Sequence, residues 1–249
     1  MDNTNRFDGK ANLYAKARPK YAAGLLTYLK DTQEIAAGST FADVGSGTGI
    51  FTEQLLHCGY WVYAVEPNGD MRQKAEARLS GKQGFVSVDG TASHTGLPEG
   101  SVDFVTAAQA FHWFDADGFR KECQRILKPG GKVILVYNVR DEGAAVTQAL
   151  AKLRHQYNPE FHGFSNGMSD AGCRAFFARK CEVYRADNTQ IYDRDGYVNR
   201  VLSSSYSLKE TDNRYGDYLA GIHGIFDTFS TDGLIAVPME TVAYIGDVL

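Results

Sequence analysis

"FADVGSGTGIFTEQL", residues 41–55, joins an apolar, strand-like run to a helix-like stretch through three closely spaced glycines. Gly45, Gly47 and Gly49 follow the apolar run directly. Glycine adopts positive φ angles and has no Cβ that would keep a ligand away from the backbone. The N-terminus of the next helix adds free N–H groups and a partial positive charge. The stretch therefore predicts a nucleotide-like ligand at the carboxyl end of a strand in a doubly wound sheet.

Short apolar runs alternate with helical patterns through the first two-thirds of the chain. The strand-like runs are Thr40–Val44, Trp61–Val65, Phe85–Val88, Val102–Ala107 and Lys132–Tyr137. The helical stripes are Phe51, Leu55 and Cys58, then Met71, Ala75 and Leu79, then Phe119, Cys123, Ile126 and Leu127, with "KPGG" as a stop signal. Strands separated by helices predict a doubly wound α/β fold: a mostly parallel, seven-stranded sheet with helices on both faces.

The two ends of the chain extend this core. Pro19 suits the first turn of an N-terminal helix. Residues 141 to about 232 show mostly helical spacing, interrupted by "CEVYRADNTQIY" (181–192), which predicts one more strand. "LIAVPMETVAYIGDV" (234–248) predicts a final pair of strands, and its Pro238 suits an edge strand. We expect residues 1–140 to form the binding core with an N-terminal lid segment. Residues 141–249 would add a helical cap insertion and the strands that complete the same sheet.

Composition limits the class of protein. The chain has 249 residues, 22% of them charged, and a formal net charge of −4, so strong non-specific binding to nucleic acid is not expected. The start has no signal-peptide pattern, and no apolar run reaches membrane-spanning length. The four cysteines have no C-x-x-C spacing, which predicts buried thiols rather than a disulfide framework or a metal site. We expect a cytoplasmic protein with no membrane or nucleic-acid partner and no metal; the oligomeric state stays open.

Two acidic residues discriminate between ligands. The glycine pattern is G-x-G-x-G, with Ile50 after the third glycine, whereas a dinucleotide fingerprint is G-x-G-x-x-G. Asp43, two residues before the first glycine, would repel a pyrophosphate but suits an amino-bearing ligand. Glu66, at the end of the second strand-like run, is placed to accept both hydroxyls of a ribose, or else to cap the next helix. A nucleoside without phosphates fits this pattern better than a dinucleotide.

The chain resembles the class I S-adenosylmethionine-dependent methyltransferases. "DVGSGTG", "AVEPNGDM", "GTASHTGLPEGSVDFV", "QAFHWFD" and "RILKPGGKVIL" occur in the order and spacing of that family, over residues 41–137. Within that family, the motifs resemble those of the broad small-molecule group (methyltransferase type 11) and are similar to those of trans-aconitate-type and ubiquinone-biosynthesis-type enzymes. The resemblance implies an enzyme that moves a methyl group from S-adenosylmethionine to an oxygen, nitrogen or carbon atom of a small-molecule acceptor. Nothing after residue 141 identifies that acceptor.

The resemblance also implies which residues bind the cofactor. The glycine turn would line its methionine part, Glu66 would bind the ribose, and Thr91 stands where the family often has an acidic residue for the adenine amino group. Asp89 is the alternative adenine contact. The full implied set is Tyr14, Arg18, Asp43, Gly45, Ser46, Gly47, Thr48, Gly49, Glu66, Pro67, Asn68, Met71, Gly90, Thr91, Ala92, Ala108 and Gln109.

Catalysis needs alignment and, for a hydroxyl or amine acceptor, a proton acceptor. His112 in "QAFHWFD" is beside the expected methyl position and is the candidate general base; packing in the strand-to-helix loop is the alternative role. Aromatic residues of the helical region, such as Phe161 and Phe164, would wall an acceptor pocket or form the cap's core. Two other functions stay open: an NAD(P)-dependent oxidoreductase, and a non-catalytic protein that binds the cofactor or its demethylated product.

Overall fold

A computed structural model describes residues 19–33, 35–164, 169–204 and 206–248. The helices are α1 (Ala23–Thr32), α2 (Ile50–His57), α3 (Gly69–Leu79), α4 (Ala116–Ile126), α5 (Ala145–Tyr157), α6 (Asp170–Ala175), α7 (Arg194–Leu202) and α8 (Tyr215–Phe229). The strands are β1 (Thr40–Val44), β2 (Trp61–Val65), β3 (Phe85–Val88), β4 (Val102–Ala108), β5 (Leu127–Arg140), β6 (Glu182–Asp187), β7 (Gln190–Tyr192), β8 (Ser230–Thr231), β9 (Leu234–Val237) and β10 (Met239–Gly246).

The main sheet has seven strands in the order β3-β2-β1-β4-β5-β10-β6. The pairs among β1 to β5 are parallel, and β10 is antiparallel to both of its neighbours. The order in which the chain adds strands reverses between β1 and β4, so ligands are expected at the carboxyl ends of these two parallel strands. The predicted doubly wound, mostly parallel α/β fold is confirmed.

Apolar side chains fill the space on both faces of this sheet. One face packs against α1 and α2 through residues such as Leu25, Leu29 and Leu55, all at most 1% exposed. The other packs against α4 through Phe119 and Cys123, which are fully buried. This two-sided burial explains why the central strands carry apolar side chains on both faces.

Several local predictions need correction. Helix α1 begins at Ala23, so Pro19 lies before the helix rather than in its first turn. Strand β5 begins at Leu127, directly after α4, and the "KPGG" turn lies inside it as a register shift, where Gly130 has φ +80°. Cys58 ends α2 and is exposed, whereas the other three cysteines are buried.

The C-terminal part holds a second small sheet that the sequence pattern does not predict. "CEVYRADNTQIY" forms two strands: β6 joins the main sheet, and β7 joins a three-stranded sheet in the order β7-β9-β8. Pro238 separates β9 from β10 and marks a change of sheet. Strand β10 is therefore an interior strand between β5 and β6, not the predicted edge strand.

Helices α5, α7 and α8 share a third apolar core with this small sheet. Its centre includes Leu150, Val201, Ile222 and Phe226, each at most 2% exposed. The long helix α8 packs against both α5 and α7. Arg154 of α5 and Arg200 of α7 lie near Gln109, which follows β4, and near Arg140 at the end of β5. None of the described helices is both long enough and apolar enough to cross a membrane.

Candidate cofactor site

The glycine turn after β1 is tied to the neighbouring strand by backbone hydrogen bonds. The N–H groups of Gly45 and Ser46 donate to the carbonyl oxygen of Val65, over 2.8 and 3.1 Å. Gly45 has φ +69°, and a Cβ there would lie 2.7 Å from the Cβ of Ala110. Gly47 has φ +56°, but a Cβ there would meet no atom of the described residues within 4 Å. Gly45 thus allows close packing, while Gly47 leaves an open cradle for a ligand.

Gly49 has a structural task in the same turn. It is the N-cap of α2, with φ +78°, and a Cβ at this position would lie 2.7 Å from the Cδ1 of Leu79. This contact brings α2 close to α3. The hydroxyls of Ser46 and Thr48 are buried and have no hydrogen-bond partner among the described residues. A polar ligand in the turn would satisfy these two groups.

Asp43 does not face the ligand space, which corrects its expected role as a direct contact. Its side chain is 1% exposed, and its two carboxylate oxygens accept hydrogen bonds from the hydroxyls of Thr52 (2.6 Å) and Thr106 (2.8 Å). Burial raises the pKa of Asp43 to about 6, against the lowering effect of these hydroxyls. Asp43 therefore links β1 to α2 and β4 beneath the turn, and we assign it a positioning role.

Glu66 connects the end of β2 to the glycine turn. Its carboxylate accepts hydrogen bonds from the N–H groups of Gly47 (2.8 Å) and Asn68 (2.9 Å). Burial raises the pKa of the Glu66 carboxyl, and these two backbone donors act in the opposite direction. A carboxylate has about four lone-pair positions, so both oxygens retain capacity for ribose hydroxyls.

Residues after Glu66 begin the next helix. Pro67 follows at the end of the strand, and the side chain of Asn68 caps α3 by accepting from the N–H of Met71. Met71 is 4% exposed. Asn68, rather than Glu66, thus supplies the side-chain cap of α3, and Met71 packs into the interior.

The loop after β3 is closed by a short turn. The N–H of Thr91 donates to the carbonyl of His94, and the N–H of His94 approaches the Thr91 hydroxyl at 3.2 Å. Ala92 follows in this turn, and Gly90 is required there because a Cβ would lie 2.5 Å from the carbonyl oxygen of Thr95. Asp89, the alternative adenine contact, forms an ion pair with Arg72.

Ala108 and Gln109 end β4 opposite the glycine turn. Gln109 has φ +55°, one of two positive φ angles at non-glycine residues in the described chain. Such a conformation costs free energy and is concentrated at functional sites. The N–H of Gln109 donates to Val136, and its side-chain amide donates to the carbonyl of Asn138. These bonds hold the strained residue in place.

The turn and the end of β4 form the walls of one cleft, which we call the glycine-turn cleft. It contains about 560 Å³ of empty space. Its lining is Pro19, Tyr21, Gly45, Ser46, Gly47, Thr48, Ile50, Phe51, Ala108, Gln109, Asn138, Arg200 and Met239. The last three came from distant parts of the sequence and were not predicted, because no local motif marks them.

His112 lies in a 3₁₀ turn, Phe111–Trp113, three residues beyond Gln109. Its ring packs near Trp113 and Tyr137, with centroids 4.7 and 6.0 Å away. It is not among the residues that line the glycine-turn cleft. Tyr14 and Arg18 lie outside the described residues. Within the described ranges, no three His, Cys, Asp or Glu side chains come together as a metal site.

Comparisons with known proteins agree with this geometry. A family model described as a methyltransferase domain matches residues 42–135. An uncharacterized methyltransferase of Mycobacterium tuberculosis strain H37Rv is 34% identical over 152 residues, 61% of this chain and 60% of that protein. An uncharacterized methyltransferase-like protein of Schizosaccharomyces pombe is 32% identical, over 61% of this chain and 58% of its own length. The chain thus matches less than two-thirds of these relatives.

Solved structures share the fold. A protein of Anaeromyxobacter dehalogenans, described as a candidate type II methyltransferase, superposes with a TM-score of 0.69 at 24% identity, covering 93% of this chain and 98% of that one. A Geobacter sulfurreducens S-adenosylmethionine-dependent methyltransferase in complex with S-adenosyl-L-homocysteine has a TM-score of 0.51 at 16% identity, covering 93% and 95%. Residues 42–135 are thus similar to a methyltransferase domain, and the chain shares its fold with solved S-adenosylmethionine-dependent methyltransferases.

Proposed function

We propose that this chain is an enzyme that transfers a methyl group from S-adenosylmethionine to an oxygen, nitrogen or carbon atom of a small-molecule acceptor. The glycine-turn cleft is the main observation that supports this proposal. It places an open glycine cradle and two unsatisfied buried hydroxyls opposite a strained residue at the end of β4. The G-x-G-x-G turn and the carboxylate of Glu66 beside it suit a nucleoside with an amino-acid group better than a pyrophosphate.

The residues present fit the cofactor. The backbone of Gly47, with the Ser46 and Thr48 hydroxyls, would hold its methionine part, and Glu66 would accept the ribose hydroxyls. When bound, S-adenosylmethionine supplies a methyl group already activated by a sulfonium. The chain's own contribution is then to align the acceptor in line with that methyl group and to exclude water.

Positioning falls to two sets of residues. Asp43 fixes the base of the turn through its hydrogen bonds with Thr52 and Thr106. Gln109 fixes the opposite wall of the cleft through its hydrogen bond to Asn138. We retain His112 as the candidate proton acceptor because it follows Gln109 at the carboxyl end of β4. Its packing against Trp113 orients the imidazole.

A direct test uses S-adenosylmethionine labelled in the methyl group, incubated with the protein and a filtered extract of small metabolites. We expect labelled product with the protein and none with a heat-inactivated sample. Calorimetry with S-adenosylhomocysteine and with NADH accompanies it. Heat from NADH without heat from S-adenosylhomocysteine would overturn the proposal in favour of an oxidoreductase. Tight cofactor binding with no labelled product from any extract would instead indicate a protein that binds the cofactor without catalysing methyl transfer.

A further inference from the structure

A second cleft opens directly beside the glycine-turn cleft and contains about 480 Å³ of empty space. Gln109 and Arg200 are among the residues that line both clefts. We call the second one the arginine cleft, because Arg140, Arg154 and Arg200 all line it. Its position, next to Gln109 and away from the glycine turn, is where an acceptor would enter.

The arginine cleft has a strongly one-sided charge. Three guanidinium groups line it, and none of the described residues that line it is acidic. Arg154 and Arg200 are only 4% and 8% exposed, so solvent screens their charges weakly. A concave site lined by charges of one sign concentrates ligands of the opposite sign. The arginine cleft is therefore a site for an anion.

Packing holds two of the guanidinium groups in place. Arg140 and Arg154 lie over the ring of Phe164, 5.0 and 5.2 Å from its centroid. Arg154 also approaches the carbonyl oxygen of Val201 at 3.5 Å. The three arginines come from β5, α5 and α7, so the cleft exists only in the folded chain. The planar fork of a guanidinium matches the geometry of a carboxylate or phosphate, to which it donates two parallel hydrogen bonds.

The charges of all three arginines act on the buried phenol of Tyr197. Burial raises the pKa of Tyr197 to about 12, while Arg140, Arg154 and Arg200 each act to lower it. One hydroxyl therefore lies within the field of all three guanidinium groups. The arginines form one cluster rather than three separate surface charges.

We propose that the arginine cleft binds an oxyanion of the methyl acceptor, a carboxylate or a phosphate, and that the acceptor is a small organic acid. This inference rests on the proposed function, since it assigns the occupant of the cleft as the acceptor. The carboxylate of the cofactor does not explain the cluster. Arg140 and Arg154 do not line the glycine-turn cleft, so Arg200 is the one arginine of the three that lines both clefts.

Calorimetry on the protein saturated with S-adenosylhomocysteine tests the inference. The probes are citrate for carboxylates, glycerol 3-phosphate for phosphates, and trimethyl citrate as the uncharged counterpart. We expect at least one anion to bind, and trimethyl citrate to bind at least tenfold more weakly. The stronger of the two anions identifies the oxyanion that the cleft prefers.

Variants localise the binding. Arg140→Met and Arg154→Met should each weaken binding of the preferred anion at least tenfold, while the Kd for S-adenosylhomocysteine changes less than twofold. Arg140→Lys, which keeps the charge but loses the planar fork, should fall between Arg140→Met and the wild type. The matched control is Arg194→Met, because Arg194 lies on the same helix as Arg200 but pairs with Asp227 at the surface. It should leave the affinity unchanged.

The outcomes separate the two proposals. If S-adenosylhomocysteine binds but neither anion does, or if trimethyl citrate or the arginine variants bind as well as their counterparts, the oxyanion site is wrong and the proposed function stands. If the anions bind but S-adenosylhomocysteine does not, the proposed function fails, and the assignment of the anion as methyl acceptor fails with it.

Discussion

Asp43 and Glu66 are both buried carboxylates near the glycine turn, yet they have different tasks. The sequence has one acidic residue before the glycines and another at the end of β2, and both were predicted to contact the ligand. It did not predict that Thr106, 63 positions later on β4, would donate to Asp43. A contact between distant segments leaves no local pattern, so the sequence did not indicate that Asp43 supports the turn while Glu66, as we propose, binds the ribose.

Asp43 makes stability depend on pH. Its pKa in the folded chain is about 6, compared with an ordinary value of 3.8, so the native state holds an extra proton between these two values. The stabilisation from this proton is present below about pH 4 and is lost as the pH rises through about 6. Asp43→Asn removes the titration. We expect the free energy of unfolding of the wild type, relative to the variant, to fall by about 2 kcal/mol between pH 4 and 7.

Urea unfolding at a series of pH values measures this difference. The exposed Asp31→Asn serves as the control, and its profile should run parallel to that of the wild type. If the Asp43→Asn profile is also parallel to the wild type, the carboxyl of Asp43 does not titrate in this range and its assigned role is wrong.

His112 is the candidate proton acceptor. His112→Phe keeps a ring to pack against Trp113 and Tyr137 but cannot accept a proton. We expect kcat to fall by about 100-fold or more, with the Kd for S-adenosylhomocysteine unchanged. Turnover of the acceptor found with labelled cofactor gives the rate, and the exposed His94→Phe is the control. A rate near that of the wild type would leave His112 with a packing role only.

Among the secondary structure elements, the first four strands were predicted to within one residue, because each is an apolar run bounded by turn residues. Strand β5 extends beyond the predicted run Lys132–Tyr137 at both ends. The small sheet of β7, β8 and β9 was missed. These strands have two to four residues each, and Ile191 and Leu234 on them are exposed. Strand β9 lies within the predicted final pair, and its residues alternate between exposed and buried. Strands β7 and β8 have only three and two residues, too few for an alternating pattern to indicate a separate sheet.

Helix α8 contains a matched pair of glycines. A Cβ at Gly224 would meet no atom within 4 Å, whereas a Cβ at Gly221 would lie 2.5 Å from the Cδ1 of Leu153 on α5. Gly224→Ala should therefore raise the free energy of unfolding by about 1 kcal/mol through helix propensity. Gly221→Ala gains the same propensity but must displace Leu153, which costs about 1–3 kcal/mol.

Thermal and urea unfolding of the two variants gives the comparison. We expect Gly221→Ala to be less stable than Gly224→Ala by at least about 1 kcal/mol, after the cost of overpacking. Equal stability of the two variants would mean that α5 and α8 are not in the close contact described here.

For the chain as a whole, the resemblance and the glycine turn identified the fold and the cofactor class, while the acceptor side escaped prediction. Arg140, Arg154 and Arg200 are separated by 14 and 46 positions and meet only through the packing of α5 and α7 beside β5. We propose that residues 141–249 contain a helical cap, which supplies Arg154 and Arg200 to this acceptor side beside Arg140 of β5.

The affinity of Glu66→Gln for S-adenosylhomocysteine tests most directly whether the glycine turn and the neighbouring carboxylate hold the cofactor. Charge-assisted hydrogen bonds contribute about 1.5–3 kcal/mol each, so we expect calorimetry to show binding weakened about tenfold or more. The exposed Glu99→Gln should bind like the wild type. An unchanged affinity in folded Glu66→Gln would contradict the account, because the ribose would then be held elsewhere.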